Sequence, residues 1–266
     1  MKQVNNYNQQ QTSHAQSHRG AVRTINEDAF LDLPQHGIWV VADGMGGHSA
    51  GDVASQLVID AIESVIETVS PDKMSCEILI QALKSANESL LNLSKSQLDG
   101  KVAGSTVVIL FIKNNRFYML WAGDSRGYLL RDNELIQFTR DHSQVNEMVD
   151  EGLISQEEAE THPLANVITR AVGVDKKLEV EVKELFLHDK DIFLLCSDGL
   201  NKELSDTEIE QALQSGSIID SGMALMHTSL VRDARDNVTC ILIKHKAEIS
   251  HIPVLDDDTT IPYFRI

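Results

Sequence analysis

The stretch TVVILFIKNNRFYMLWAGDSRGYLLRDNELIQF, Thr106 to Phe138, decides the fold class. It holds the short apolar runs Thr106–Ile112, Phe117–Ala122, Tyr128–Arg131 and Leu135–Phe138, rich in β-branched and aromatic residues, with polar links between them. Runs of that length and composition read as strands. Links this short join antiparallel neighbours, because a parallel crossover needs a dozen residues or more. Further strands are expected at Ile38–Ala42, Leu178–Leu187, Ile192–Cys196 and Val238–Lys244. In Leu178-Glu-Val180-Glu-Val182 the apolar residues alternate with acids, which suits a strand with one wet face.

Helical spacing surrounds this strand-rich pattern. Leu57, Ala61, Ile62, Val65, Ile66 and Val69 recur at i, i+3, i+4, and so do Leu79, Ala82, Leu83, Ala86, Leu90 and Leu93. Two such helices in succession predict an antiparallel pair laid on a sheet. Thr207–Leu213 with Met223–Arg232 predicts a second pair. The fold class is therefore α+β, with helices covering largely antiparallel sheets.

The chain has 266 residues, with 40 Asp and Glu against 23 Lys and Arg, a formal charge of -17. A phosphate-backbone binder needs a basic face, so nucleic acid is excluded as a partner. At 42% hydrophobic and 24% charged residues the composition is that of a globular protein. Cys76, Cys196 and Cys240 show no CxxC spacing, which argues against a disulfide framework or a thiolate zinc site. No apolar run approaches a membrane span, and Met1 to Gln11 offers no signal peptide. A cytoplasmic protein is expected, without membrane partners and working as a monomer. Residues 1–10 read as a polar extension, 11–245 as the main folded unit and 246–266 as a tail.

Five aspartates share one context, at a strand end or an adjoining turn: Asp28, Asp43, Asp124, Asp198 and Asp236, each beside Gly, Asn or Glu. Asp favours turns, and that alone accounts for any one of them. Together they point elsewhere. Carboxylates gathered at the ends of buried strands cannot all ionise without cations, so convergence would make a divalent-metal site. Oxygen ligands without a nearby Cys or His pair favour Mg²⁺ or Mn²⁺ over zinc.

Two competing motifs fail on context. Gly123-Asp-Ser125-Arg-Gly127 matches a nucleophile elbow, but that motif needs a helix after it and a strand follows here. Gly44-Met-Gly46-Gly47 resembles a dinucleotide loop, yet Asp43 beside it would repel a pyrophosphate. Cys196 reads as a buried core thiol.

Eight segments in order carry a wider resemblance: Gly20–Asp28, Asp43–His48, Gly104-Ser-Thr106, Gly123-Asp-Ser-Arg126, Asp141-His-Ser143, Thr169-Arg-Ala171, Ser197-Asp-Gly199 and Asp236-Asn237. They resemble the bacterial branch of the metal-dependent protein phosphatases, the protein phosphatase 2C family, over about residues 12–244. The resemblance implies a four-layer α-β-β-α sandwich and hydrolysis of phosphoserine and phosphothreonine at a two-metal centre. It implies that Asp43 bridges two Mn²⁺ or Mg²⁺ ions, with the Gly44 carbonyl, Asp198 and Asp236 at the first. Asp28 or Glu27 would hold the second, and Asp124 with Asp198 a weaker third. Arg23 would grip the substrate phosphate, a role suited to a guanidinium that stays charged and contacts two oxygens at once. A metal-bridging hydroxide would attack in line. Met45 follows the Asp-Gly pair where eukaryotic relatives have His, so the proton donor would be His48 or a metal-bound water. His142 and His162 are expected to be structural. Residues 141–170 would form a flap, with short helices at Gln144–Glu151 and Gln156–Glu160. The expected partners are phosphorylated proteins that a bacterial Ser/Thr kinase has modified.

Overall fold

The computed structural model describes residues 11–46, 50–98 and 101–247. The strands are β1 (Gln11–His18), β2 (Asp28–Leu33), β3 (Ile38–Gly46), β4 (Ala103–Ser105), β5 (Val107–Lys113), β6 (Arg116–Ala122), β7 (Arg126–Arg131), β8 (Glu134–Gln137), β9 (Glu181–Phe186), β10 (Ile192–Cys196) and β11 (Val238–His245). The helices are α1 (Gly51–Thr68), α2 (Cys76–Gln97), α3 (Gln144–Asp150), α4 (Gln156–Glu160), α5 (Asp198–Asn201), α6 (Asp206–Gln214) and α7 (Ile218–Val231).

The hairpins of the quoted stretch form as its polar links dictate. Asn114 and Asn115 join β5 to β6 with φ of 51° and 58°, and Asp132 and Asn133 join β7 to β8 with 52° and 65°. Two consecutive positive φ values make the turn whose twist matches its flanking strands, and Asn and Asp tolerate that region best among residues with a Cβ.

One sheet runs β1-β11-β10-β7-β8 and the other β2-β3-β5-β6-β9, with β4 paired to β3. Every strand pair is antiparallel. Apolar residues on the central strands point alternately to two different cores. On β3, Ile38, Val40 and Ala42 face a core built with α1 and α2, while Trp39 and Val41 face the other sheet. On β10, Leu194 and Cys196 face α5–α7, while Phe193 and Leu195 meet Trp39's side between the sheets. Three cores separate four layers, the expected α-β-β-α sandwich. In the middle core the Phe117 ring lies 5.1 Å from that of Phe138 and 4.8 Å from that of Phe193.

The structure differs from the sequence reading at several strands. β1, β2 and β4 carried no strand expectation. β1 reads Gln-Thr-Ser-His-Ala-Gln-Ser-His, and only its pairing with β11, from Gln11↔His245 to His18↔Val238, makes it a strand. β3 runs on past Ala42 to Gly46, because Gly44, Met45 and Gly46 pair with Ser105, Gly104 and Ala103. Asp43 therefore lies inside a strand. The strand expected at Leu178 starts only at Glu181, opposite Trp121 near the end of β6, where residues 178–180 have no strand to pair with. Among the described residues no helix is long and apolar enough to cross a membrane.

Candidate metal centre

Elements of both sheets converge on a cavity of 190 Å³ lined by Arg23, Glu27, Asp43, Gly44, Met45, Gly46, Thr106, Ile168, Asp198 and Asp236. β3 supplies Asp43 and Gly44. The start of α5, directly after β10, supplies Asp198, and the turn before β11 supplies Asp236. Asp28 lies beneath, opposite Asp43 in the β2–β3 register. Asp124 stands apart from this cavity, in a neighbouring cleft that it shares with Asp198 and Lys202. His48 lies outside the described residues.

The local backbone explains the glycines. A Cβ on Gly44 would run into the carbonyl oxygens of Gly51 and Glu27, and one on Gly199 into that of Asn237. The strand bearing Asp43 thus packs directly on the start of α1, and α5 packs directly on the turn bearing Asp236.

Several of the carboxylates have separate partners. Arg23 Nη2 donates to Asp236 Oδ2 at 3.0 Å and reaches Glu27 less closely, at 3.9 Å from its Nη1. Lys202 Nζ donates to Asp198 Oδ2. Ser197 Oγ and Thr239 Oγ1 donate to Asp28 Oδ2 at 2.8 and 2.7 Å. Asp43 is fixed through its backbone, N–H to Thr106 Oγ1 at 3.1 Å. With the carboxylates drawn to these partners, no three His, Cys, Asp or Glu side chains among the described residues surround one point closely enough to grip an ion as they stand.

The donor set nevertheless fits divalent cations. The buried oxygens Asp28 Oδ1, Asp124 Oδ1 and Asp198 Oδ1 have no hydrogen-bond partner at all. A buried, unpaired carboxylate oxygen is costly unless a cation meets it. Burial pushes Asp28 and Asp124 up to about 7, with the charge of Asp198 adding to each. Burial also raises Asp43, and Asp28, Asp198, Asp124 and Asp236 raise it further. Mutual repulsion of this kind is what a multivalent cation relieves.

Several contributors were not singled out by their sequence. Asn237 Oδ1 accepts from Glu27 N–H at 2.7 Å, and its Nδ2 donates to the Arg19 and Ile25 carbonyls, both at 3.0 Å. It pins the loop that carries Arg23 and Glu27. Ser197, Thr239 and Thr106 orient acids, and Lys202 faces Asp198. Ser197 and Asn237 do adjoin singled-out aspartates in the sequence, but what they hold, and the approach of Thr106, Thr239 and Lys202 to Asp43, Asp28 and Asp198, appears only in the fold. His142 sits at the base of the 141–170 segment. Its Nδ1 accepts from Gly123 N–H at 3.1 Å, and its Nε2 lies 3.0 Å from Glu181 Oε1, with Trp121 stacked on the ring. His162 Nδ1 accepts only from Leu164 N–H, within that segment.

This architecture and this acid-lined seam define a class, and comparison with known proteins gives the same one. The protein phosphatase 2C family model matches residues 12–242, and the chain belongs to that family. The chain is similar to the serine/threonine phosphatase stp of Listeria welshimeri serovar 6b, 35% identical over 233 residues that cover 85% of this chain and 92% of that one. PppA, a key regulatory component of T6SS in Pseudomonas aeruginosa, superposes with a TM-score of 0.77 at 39% identity, over 88% of this chain and 97% of that one. The catalytic domain of the serine/threonine protein phosphatase PstP, in complex with two manganese ions, gives 0.80 at 35% identity, over 89% and 99%.

Proposed function

We propose that this chain is a metal-dependent serine/threonine protein phosphatase, opposing a bacterial Ser/Thr kinase in the cytoplasm. The observation that carries the reading is the meeting of Asp43, Asp198 and Asp236 with Arg23 around one cavity at the sheet seam. Asp43, the Gly44 carbonyl, Asp198 and Asp236 would hold one divalent ion, with Asp43 shared and Asp28 or Glu27 serving a second. Ions bound there supply Lewis-acid polarisation of water and of the phosphoryl oxygens.

The chain's own residues do the rest. Arg23 is half-exposed at the cavity mouth, so its guanidinium can turn from Asp236 to a phosphate monoester and contact two oxygens. Ile168 walls the cavity from the side of residues 141–170. We take that segment as the flap of a catalytic unit spanning 11–245. Its two ends are clasped by the bridge between Ser143 and Ile168, with Gln144 N–H donating to the Val167 carbonyl at 2.9 Å. A loop clasped at its base can swing as a body and cover a bound substrate. The buried free thiols Cys196 and Cys240, opposite each other across β10 and β11, suit a reducing compartment.

The test is hydrolysis of phosphoserine and phosphothreonine peptides with Mn²⁺ and with EDTA. Turnover with Mn²⁺ that EDTA abolishes supports the reading; turnover unaffected by EDTA sinks it. Phosphoproteins retained by Asp198→Asn and released by the wild type would identify the targets.

A further inference from the structure

Apart from Ala15, strand β1 is polar throughout, yet one of its faces is turned inward. Ser13, Ala15 and Ser17 share that face, and Ala15 packs against the core between the sheets. Ser17 stands opposite Thr239 of β11, and their hydroxyl oxygens lie 2.7 Å apart. Thr239 Oγ1 in turn donates to Asp28 Oδ2 at 2.7 Å. A residue of the first strand is thus one hydroxyl away from an acid of the seam.

The chemistry of the groups fixes the direction of each proton. The Asn26 amide nitrogen can only donate, and it donates to Ser17 Oγ at 2.7 Å. An ionised Asp28 can only accept, so the single hydroxyl proton of Thr239 goes to its Oδ2. Ser17 must then donate to Thr239. Asn26 Oδ1 accepts from the Asp28 N–H at 3.3 Å, which closes the chain into a ring. Ser197 Oγ brings a second O–H to Asp28 Oδ2 at 2.8 Å and is itself held by the Thr239 N–H at 3.0 Å. Oδ2 therefore has two donors, while Oδ1 is buried and has no partner. Asp28 stands directly opposite Asp43 across β2 and β3, so the two side chains share one face of the sheet. Oδ1 is the atom of Asp28 left for a cation.

We propose that Ser17 is a positioning residue of the metal centre: through Thr239 it holds Asp28 with Oδ2 committed to hydroxyls and Oδ1 open to a divalent ion. β1 then belongs to the site as well as to the sheet. Groups that orient a metal's ligands carry about ten- to a hundredfold of its affinity. This rests on the metal-centre reading, and the experiment separates the two. The strand also supplies its own control. Ser13 Oγ donates to Asp32 Oδ1 at 2.5 Å, another hydroxyl-to-carboxylate contact between β1 and β2, four residues along β2 from Asp28.

Mn²⁺ affinity is measured by equilibrium dialysis on folded full-length protein, with urea unfolding followed in parallel by circular dichroism. Ser17→Ala and Thr239→Val are expected to weaken Mn²⁺ binding about tenfold or more, and Thr239→Ser to restore it. Ser13→Ala should lower the unfolding midpoint while binding Mn²⁺ like the wild type. Ser17→Ala added to Asp28→Asn should cause no further loss of affinity, because the carboxylate it orients is already gone. Wild-type affinity in both Ser17→Ala and Thr239→Val, or an equal loss in Ser13→Ala, makes the ring a mere staple between strands. Either result overturns the proposal and leaves the metal-centre reading standing. No bound Mn²⁺ in the wild type overturns both.

Discussion

Asn237 shows how a neutral side chain can govern an acidic site. It is buried and satisfies a backbone N–H and two carbonyls of the loop that bears Arg23 and Glu27. Asn237→Ala strands all three groups, so a loss of about 2–4 kcal/mol is expected in urea unfolding. Arg23→Ala acts differently, because that side chain is half-exposed and pairs with the acids Asp236 and Glu27. It should raise KM for a phosphopeptide roughly ten- to a hundredfold, the range of a charge-assisted contact. Mn²⁺ affinity should change far less, since Asp236 merely loses a competitor; equal losses in both would remove Arg23 from substrate binding. The aspartates were legible in the sequence because Asp43, Asp124 and Asp198 follow apolar runs, Asp236 precedes one, and all five sit at strand ends or adjoining turns. Asn237 and Lys202 interrupt nothing, and only the folded packing shows what they hold.

At the scale of elements, the base of the 141–170 segment contains a proton-sensitive contact. Burial lowers His142 below its ordinary value, Arg170 and Glu181 acting in opposite senses as its nearest charges, with Asp141 beyond. A histidine depressed in the folded state is neutral there while the unfolded chain takes up a proton first. Its stabilisation is thus complete above about pH 6.5 and declines as pH falls below that value. Melting temperatures between pH 7.5 and 5 should fall less steeply for His142→Gln than for the wild type; parallel curves would exclude the histidine as a source. Hairpins and long amphipathic helices were readable because spacing alone specifies them. The extent of β3 and β9 was not, since each is bounded by where a partner strand begins or ends. β1 was invisible for the same reason, its polar residues becoming a strand only against β11.

Across the whole molecule, folding brings Asp28, Asp43, Asp124 and Asp198 together against their mutual repulsion. Asp43→Asn removes one of these crowded carboxylates. In metal-free protein it should raise Tm by about 2–4 °C while abolishing Mn²⁺-dependent turnover. Saturating Mn²⁺ should raise the wild-type Tm, as any ligand of the folded state does, and should leave Asp43→Asn nearly unmoved. A wild-type Tm indifferent to Mn²⁺ would argue against the centre. The order of the strands has a consequence in time. β11 comes last among the described strands, yet it lies between β1 and β10, and the turn before it carries Asp236. A ribosome that has synthesised β1 to β10 holds every strand of one sheet, while in the other β1 is cut off from β10, β7 and β8, and Asp236 is still to come. A chain stopped before Asp236 would lack both the strand that joins β1 to β10 and one carboxylate of the proposed metal centre.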